Sequence, residues 1–98
     1  MEQIITGTFE VDPADREAFL ASRDEAIRRS RDEPGCIVYV LAPDPLEPGR
    51  VVLFERWANE EALEAHRLGM QASPPAAGGV PILRREILRF SATETPFV

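Results

Sequence analysis

His66 and Trp57 are the sole histidine and tryptophan of this 98-residue chain, and Tyr39 is its sole tyrosine. Histidine and tryptophan stand nine positions apart in LFERWANEEALEAH, residues 53–66, with Asn59, Glu60, Glu61 and Glu64 between them. An imidazole can take a proton from a phenol near neutral pH, so His66 is the candidate catalytic base. Its competing reading is a core histidine bonded to a backbone carbonyl. Trp57 offers a large planar face for stacking on an aromatic ligand, or else packs in the core or an interface. The Tyr39 hydroxyl can bond a substrate oxygen or serve a subunit interface, its side being set by pleat parity. Trp57 and Tyr39 are therefore the candidate substrate-binding residues. Glu55 shares the strand face of Trp57, and Arg56 points the other way. Glu60 and Glu61 are adjacent, do not face each other, and read as a solvated helix start rather than an acid and base pair.

Other chemistries lack their parts. One histidine cannot supply a site of two histidines and a carboxylate, and there is no GxGxxG after a strand, no P-loop and no CxxC. The expectation is a chain with no metal and no bound cofactor. Cys36 lies in an apolar run and reads as an inert buried thiol. Arg84, Arg85 and Arg89 fall close together near the C-terminal end. They are read as pairing with acids across an interface, with an anionic substrate as the other use.

The elements that position these residues follow from periodicity and punctuation. Gln3 to Val11 is rich in β-branched residues and reads as a strand. Asp12 caps a helix with Pro13 at its first position, and the helix runs to about Arg31 with Phe19, Leu20, Ala26 and Ile27 on one stripe. Pro34 and Gly35 stop it. Cys36 to Ala42 and Val51 to Trp57 then form a hairpin across the turn PDPLEPGR. Asn59 caps a second helix that reaches about Leu68, with Gly69 ending it; His66 falls one turn after Leu63 and one before Met70, on the stripe facing the sheet. Trp57 and His66 are thus expected to approach one cleft without touching. Residues 68–83 are either irregular or hold one short helical turn before Pro81. Arg84 to Ala92 is the last strand, and 92–98 a loose tail.

Strand, helix, strand, strand, helix, strand is the ferredoxin-like α+β order, with both helices on one face of a four-stranded antiparallel sheet. Both faces of the hairpin strands are apolar: Ile37, Tyr39 and Leu41 alternate with Cys36, Val38 and Val40, and Leu53 and Trp57 with Val52 and Phe54. Helices cover one face only. A second copy packed sheet to sheet is the expected cover, making a homodimer.

Size and charge bound the rest. A chain this short holds one core, so residues 1–98 read as a single domain. Net charge is -6, and the eleven cations, all arginine, are dispersed among seventeen acids. That pattern disfavours nucleic acid as a partner. No run approaches the roughly 20 apolar residues of a membrane span, and the start carries no basic export signal. One cysteine forms no internal disulfide, and the expected compartment is the cytoplasm.

The run EPGCIVYVLAPDPLEPGRVVLFERWANEEALEAH, Glu33 to His66, resembles the central signature of the antibiotic biosynthesis monooxygenase family, which includes quinol and anthrone monooxygenases. The resemblance lies in a Pro-Gly-Cys strand start, a tyrosine in that strand, an acidic proline-rich turn, a Glu-Arg-Trp strand end, and a capped helix with Glu-Ala-Leu and Ala-His. Beyond Leu68 it departs, reading RLGMQASPPAAGG where members commonly carry a Ser-Pro-His-Phe-like segment. The resemblance implies a dimeric α+β barrel that oxidises a hydroxylated aromatic, a quinol or an anthrone-like polyketide, with molecular oxygen as co-substrate and no cofactor. His66 would accept the proton while Trp57 and Tyr39 shape the slot. Two other readings stand beside it. One is a haem-degrading relative, disfavoured by IITGTF in the first strand and by the missing second histidine. The other is a non-enzymatic dimeric module for small apolar ligands, which predicts the same pocket but indifference to loss of His66.

Overall fold

The computed structural model describes residues 1–75 and 78–98. Strand β1 (Glu2–Glu10) leads through a 3-10 turn (Pro13–Asp15) into helices α1 (Arg16–Ser22) and α2 (Asp24–Asp32). Strands β2 (Cys36–Pro43) and β3 (Arg50–Trp57), helix α3 (Glu60–Ala72) and strand β4 (Arg84–Ala92) follow. The strands form one antiparallel sheet in the order β2-β3-β1-β4, with the helices on one face, the ferredoxin-like α+β arrangement. Crossovers carried by the helices let β1 sit between β3 and β4.

The expected first helix is broken at Arg23, and the cause is local. The Ser22 hydroxyl donates to the Phe19 carbonyl at 2.6 Å. That carbonyl is the one an unbroken helix would offer to the Arg23 amide, which instead bonds Leu20 O at 3.0 Å. A serine hydroxyl competing for a backbone acceptor bends a helix in this way. Arg23 N–H thus closes a tight turn, and the helix resumes when Ile27 N–H bonds Arg23 O at 2.9 Å.

The second helix differs at its other end. Asn59 caps it as expected, its side chain accepting from Ala62 N at 2.8 Å. Gly69, however, lies inside α3, which continues to Ala72. Arg29 from α2 holds that extra turn by donating to Ser73 O at 3.0 Å and Ser73 Oγ at 3.1 Å. The left-handed backbone occurs later, at Gly78 and Gly79, with φ of 65° and 74°. Among the described residues the return from Ser73 to Leu83 holds no helical turn, and Val80 anchors it in the core. Leu83 N–H then bonds Glu10 O at 2.8 Å and starts β4 beside β1.

A β-bulge sets the faces of β2. Cys36 pairs with Trp57 and Val38 with Arg56, leaving Ile37 as the extra residue. Cys36 therefore joins Tyr39 and Leu41 on the helix-facing side, while Val38 and Val40 face away; simple alternation from Cys36 misassigns it. The core beneath the helices gathers Ile5, Phe9, Phe19, Tyr39, Val51, Leu53, Trp57 and Leu63. On the opposite face Val52, Phe54, Leu88 and Phe90 remain exposed beside the half-buried Ile4 and Val40.

Candidate active site

Between α3, the α1–α2 break and the helix-facing side of the sheet lies an open cavity of about 360 Å³. Ile5, Phe9, Leu53, Leu63 and Ile87 give it apolar walls, and Tyr39, Glu55, His66 and several arginines supply its polar groups. The pleat explains the membership: Ile5, Leu53 and Ile87 lie on neighbouring strands and point the same way as Phe9, Glu55 and Tyr39.

His66 is buried and held from both sides. Its Nδ1 lies 3.0 Å from Glu33 Oε1, and its Nε2 lies 3.7 Å from Glu55 Oε1. With the Nδ1 proton given to Glu33, Nε2 is left as the basic nitrogen toward Glu55 and the cavity. Glu55 also accepts from the Trp57 indole N–H at 2.9 Å. Burial pushes the Glu55 carboxyl above its ordinary range, and the Trp57 donor and His66 only partly oppose that shift. Protons therefore have two adjoining stations, an imidazole and a carboxyl of raised affinity.

Trp57 does not stay apart from His66, as its position at a strand end suggested. The rings lie against each other, tilted by 35°, with centroids 4.5 Å apart. The antiparallel register and the Asn59 cap return α3 across the end of β3, which brings residues nine apart in sequence into contact. Trp57 is fully buried and stands behind His66 and Glu55 rather than on the cavity wall. Direct stacking on a ligand is thus closed to it within this chain; it orients the residues that do reach the cavity.

Tyr39 does reach it, with its ring centroid 5.5 Å from that of His66. Burial, with Glu55 adding to it, pushes the phenol up to about 12 against a smaller opposing contribution from a Ser30 hydrogen bond, so its hydroxyl stays protonated. Cys36 is half-buried, and burial raises its thiol, with Glu33 and Glu55 adding to the rise. It is poorly suited to act as a nucleophile.

The last-strand arginines divide. Arg84 pairs with Glu10 in register on the open face, whereas Arg85 and Arg89, opposite Phe9 and Ile5, line the cavity. Arg89 Nε donates to Gln3 Oε1 at 2.8 Å. The expected pairing across an interface is therefore unavailable to Arg85 and Arg89 from the uncovered sheet face, because both sit on the other side of the pleat.

Sequence reasoning passed over Glu33 and Arg23. Glu33 is 33 positions from His66, and no local spacing announces that pair. Arg23 left a signal: it falls four residues after Phe19 and four before Ile27, a charge inside the apolar stripe of the helix. Among the described residues no three His, Cys, Asp or Glu side chains converge as a metal site.

Residues 3–69 match the family described as antibiotic biosynthesis monooxygenase. The chain belongs to that family. It is similar to an uncharacterized protein, sll1783, of Synechocystis sp., at 38% identity over 63 residues, which cover 64% of this chain and 43% of that protein. The chain thus spans less than half the length of that relative. Among solved structures it is similar to Rv0793 from Mycobacterium tuberculosis, with a TM-score of 0.74 at 27% identity, over 97% of this chain and 98% of the other. PA3566 from Pseudomonas aeruginosa shares the fold, with a TM-score of 0.72 at 20% identity over 95% of each chain.

Proposed function

We propose that the chain is a cofactor-independent monooxygenase acting on a hydroxylated aromatic, a quinol or anthrone-like compound, with molecular oxygen as co-substrate. The observation that carries the reading is the apolar cavity of about 360 Å³ with the paired His66 and Glu55 in its wall. In such chemistry the substrate supplies the electrons. Proton loss from a phenol or from the acidic carbon of an anthrone leaves an electron-rich anion that reduces oxygen, and loss of water from the resulting hydroperoxide gives the quinone. The protein has to remove the proton, hold the ring and keep water away.

His66 Nε2 takes the proton, Glu33 fixes the ring through Nδ1, and Glu55 receives or shares the charge. Tyr39, protonated at neutral pH, orients a substrate oxygen by donating to it. Trp57 acts from behind. A second copy seated on the uncovered sheet face completes the molecule as a homodimer; the apolar Phe54, Val52, Leu88 and Phe90 on that face support this reading. The compartment that fits is the cytoplasm.

Oxygen uptake by the purified protein, with reduced menadione and a panel of anthrones, tests the proposal. The expected result is uptake above the spontaneous rate, falling about 100-fold or more in His66→Ala. No uptake above the spontaneous rate with either class sinks the monooxygenase reading. Uptake unchanged in the variant keeps the activity and removes His66 as base. Binding without uptake favours the ligand-binding module.

A further inference from the structure

The cavity carries a charge that the chain as a whole does not. Net charge is -6, yet the cavity wall holds Arg23, Arg67, Arg85 and Arg89 against a single carboxylate, Glu55. Two of these cations are already engaged. Arg67 is paired with Glu64, and Arg89 donates to Gln3. Arg23 and Arg85 form no ion pair and no side-chain hydrogen bond among the described residues.

Arg23 is held in place without being satisfied. The break between α1 and α2 leaves it at the helix junction, where its guanidinium lies 4.8 Å from the Phe19 ring centroid and 5.7 Å from that of Phe9. Aromatic faces steady a cation but accept no conventional hydrogen bond, and Nε of Arg23 is buried with no partner. Arg85, in register with Phe9 on the neighbouring strand, brings a like charge to the same wall. Two unpaired guanidiniums on one wall repel each other, and an anion between them relieves that repulsion.

Resting on the reading of the cavity as an aromatic site, we propose that its ligand is an aromatic carboxylate whose carboxylate is held by Arg23 and Arg85. The apolar walls take the ring, and the planar guanidinium forks match the carboxylate. His66 and Glu55, on the same cavity, are then left to the hydroxyl.

The test is direct binding, without oxygen, of 6-hydroxy-2-naphthoic acid and its neutral carboxamide by titration calorimetry at low salt and neutral pH. The acid should bind about tenfold or more tightly than the amide, an advantage that shrinks as salt rises. Arg23→Gln and Arg85→Gln should each weaken the acid about tenfold and leave the amide within about twofold. Arg85 sits on an exposed edge strand, so Arg85→Gln decides the matter should Arg23→Gln fail to fold. Equal affinity of the two ligands for the wild-type protein overturns the carboxylate site and leaves the aromatic cavity standing. Preference for the acid that survives both substitutions overturns the assignment to these arginines. Binding of neither ligand overturns this inference and, with it, the aromatic reading of the cavity.

Discussion

Glu55 is buried, accepts the Trp57 indole N–H, and stands 3.7 Å from an imidazole nitrogen. Its folded-state pKa is raised above 4.5, chiefly by burial, so folding shifts the balance toward the neutral form relative to the unfolded chain. The stability contribution of such a group is fully present below the unfolded value and drains away as pH climbs through the raised folded value. Glu55→Gln keeps an oxygen to accept from the indole and never ionises. Its melting temperature, relative to the wild type, should therefore be higher at pH 7 than at pH 4, as thermal melts at the two pH values would show. An equal difference at both would remove the burial cost assigned to Glu55. Oxygen uptake separates the two roles of this carboxyl: if it shares the substrate proton, the glutamine protein is slower even where it is more stable. Trp57→Phe tests the indole by itself, since it keeps a ring against His66 and takes away the donor.

At the scale of elements, helix α3 is the carrier of His66, and its start is fixed twice. Asn59 caps it, and Asn59→Ala should cost about 1 kcal/mol in denaturant unfolding. Gly35, with φ of 83°, lets the α2–β2 turn press against the same helix: a Cβ there would meet Ala62 Cβ at 2.5 Å. Gly35→Ala should cost about 1–3 kcal/mol for the backbone conformation, with the collision in addition, and should displace His66 one turn downstream. Activity should then fall more than the loss of folded protein accounts for. The alternation of strands and helical crossovers, the Asn59 cap and the helix-facing stripe of His66 were all legible, because each is written in residues close together. The break at Arg23 was not, since it depends on which donor reaches the Phe19 carbonyl first. Nor were the Glu33 contact and the continuation of α3 past Gly69, which depend on partners supplied across the fold by α2 and the residue that caps its C-terminal end. Trp57 was singled out for its chemistry, and packing gave it a place behind the cavity that no spacing rule specifies.

For the whole molecule, the uncovered sheet face sets several apolar side chains side by side in water. Phe54 and Phe90 are 39% and 48% exposed on it. Light scattering at micromolar concentration should return the mass of a dimer, and Phe54→Glu, which sets a charge in the middle of the patch, should return a monomer that still folds. A monomeric wild type would overturn the sheet-to-sheet dimer. The bulge at Ile37 has a different consequence, for the lengths this chain can tolerate. A strand that loses one residue normally turns every side chain beyond the deletion to the wrong face. Along the three strand pairings the register slips only between Cys36 and Val38. Removing Ile37 would make the β2–β3 ladder regular with Cys36 still opposite Trp57 and Tyr39 still opposite Glu55. Position 37 is thus a hyphen in the sheet, a place where the text can be shortened by one letter with its reading frame of inside and outside intact.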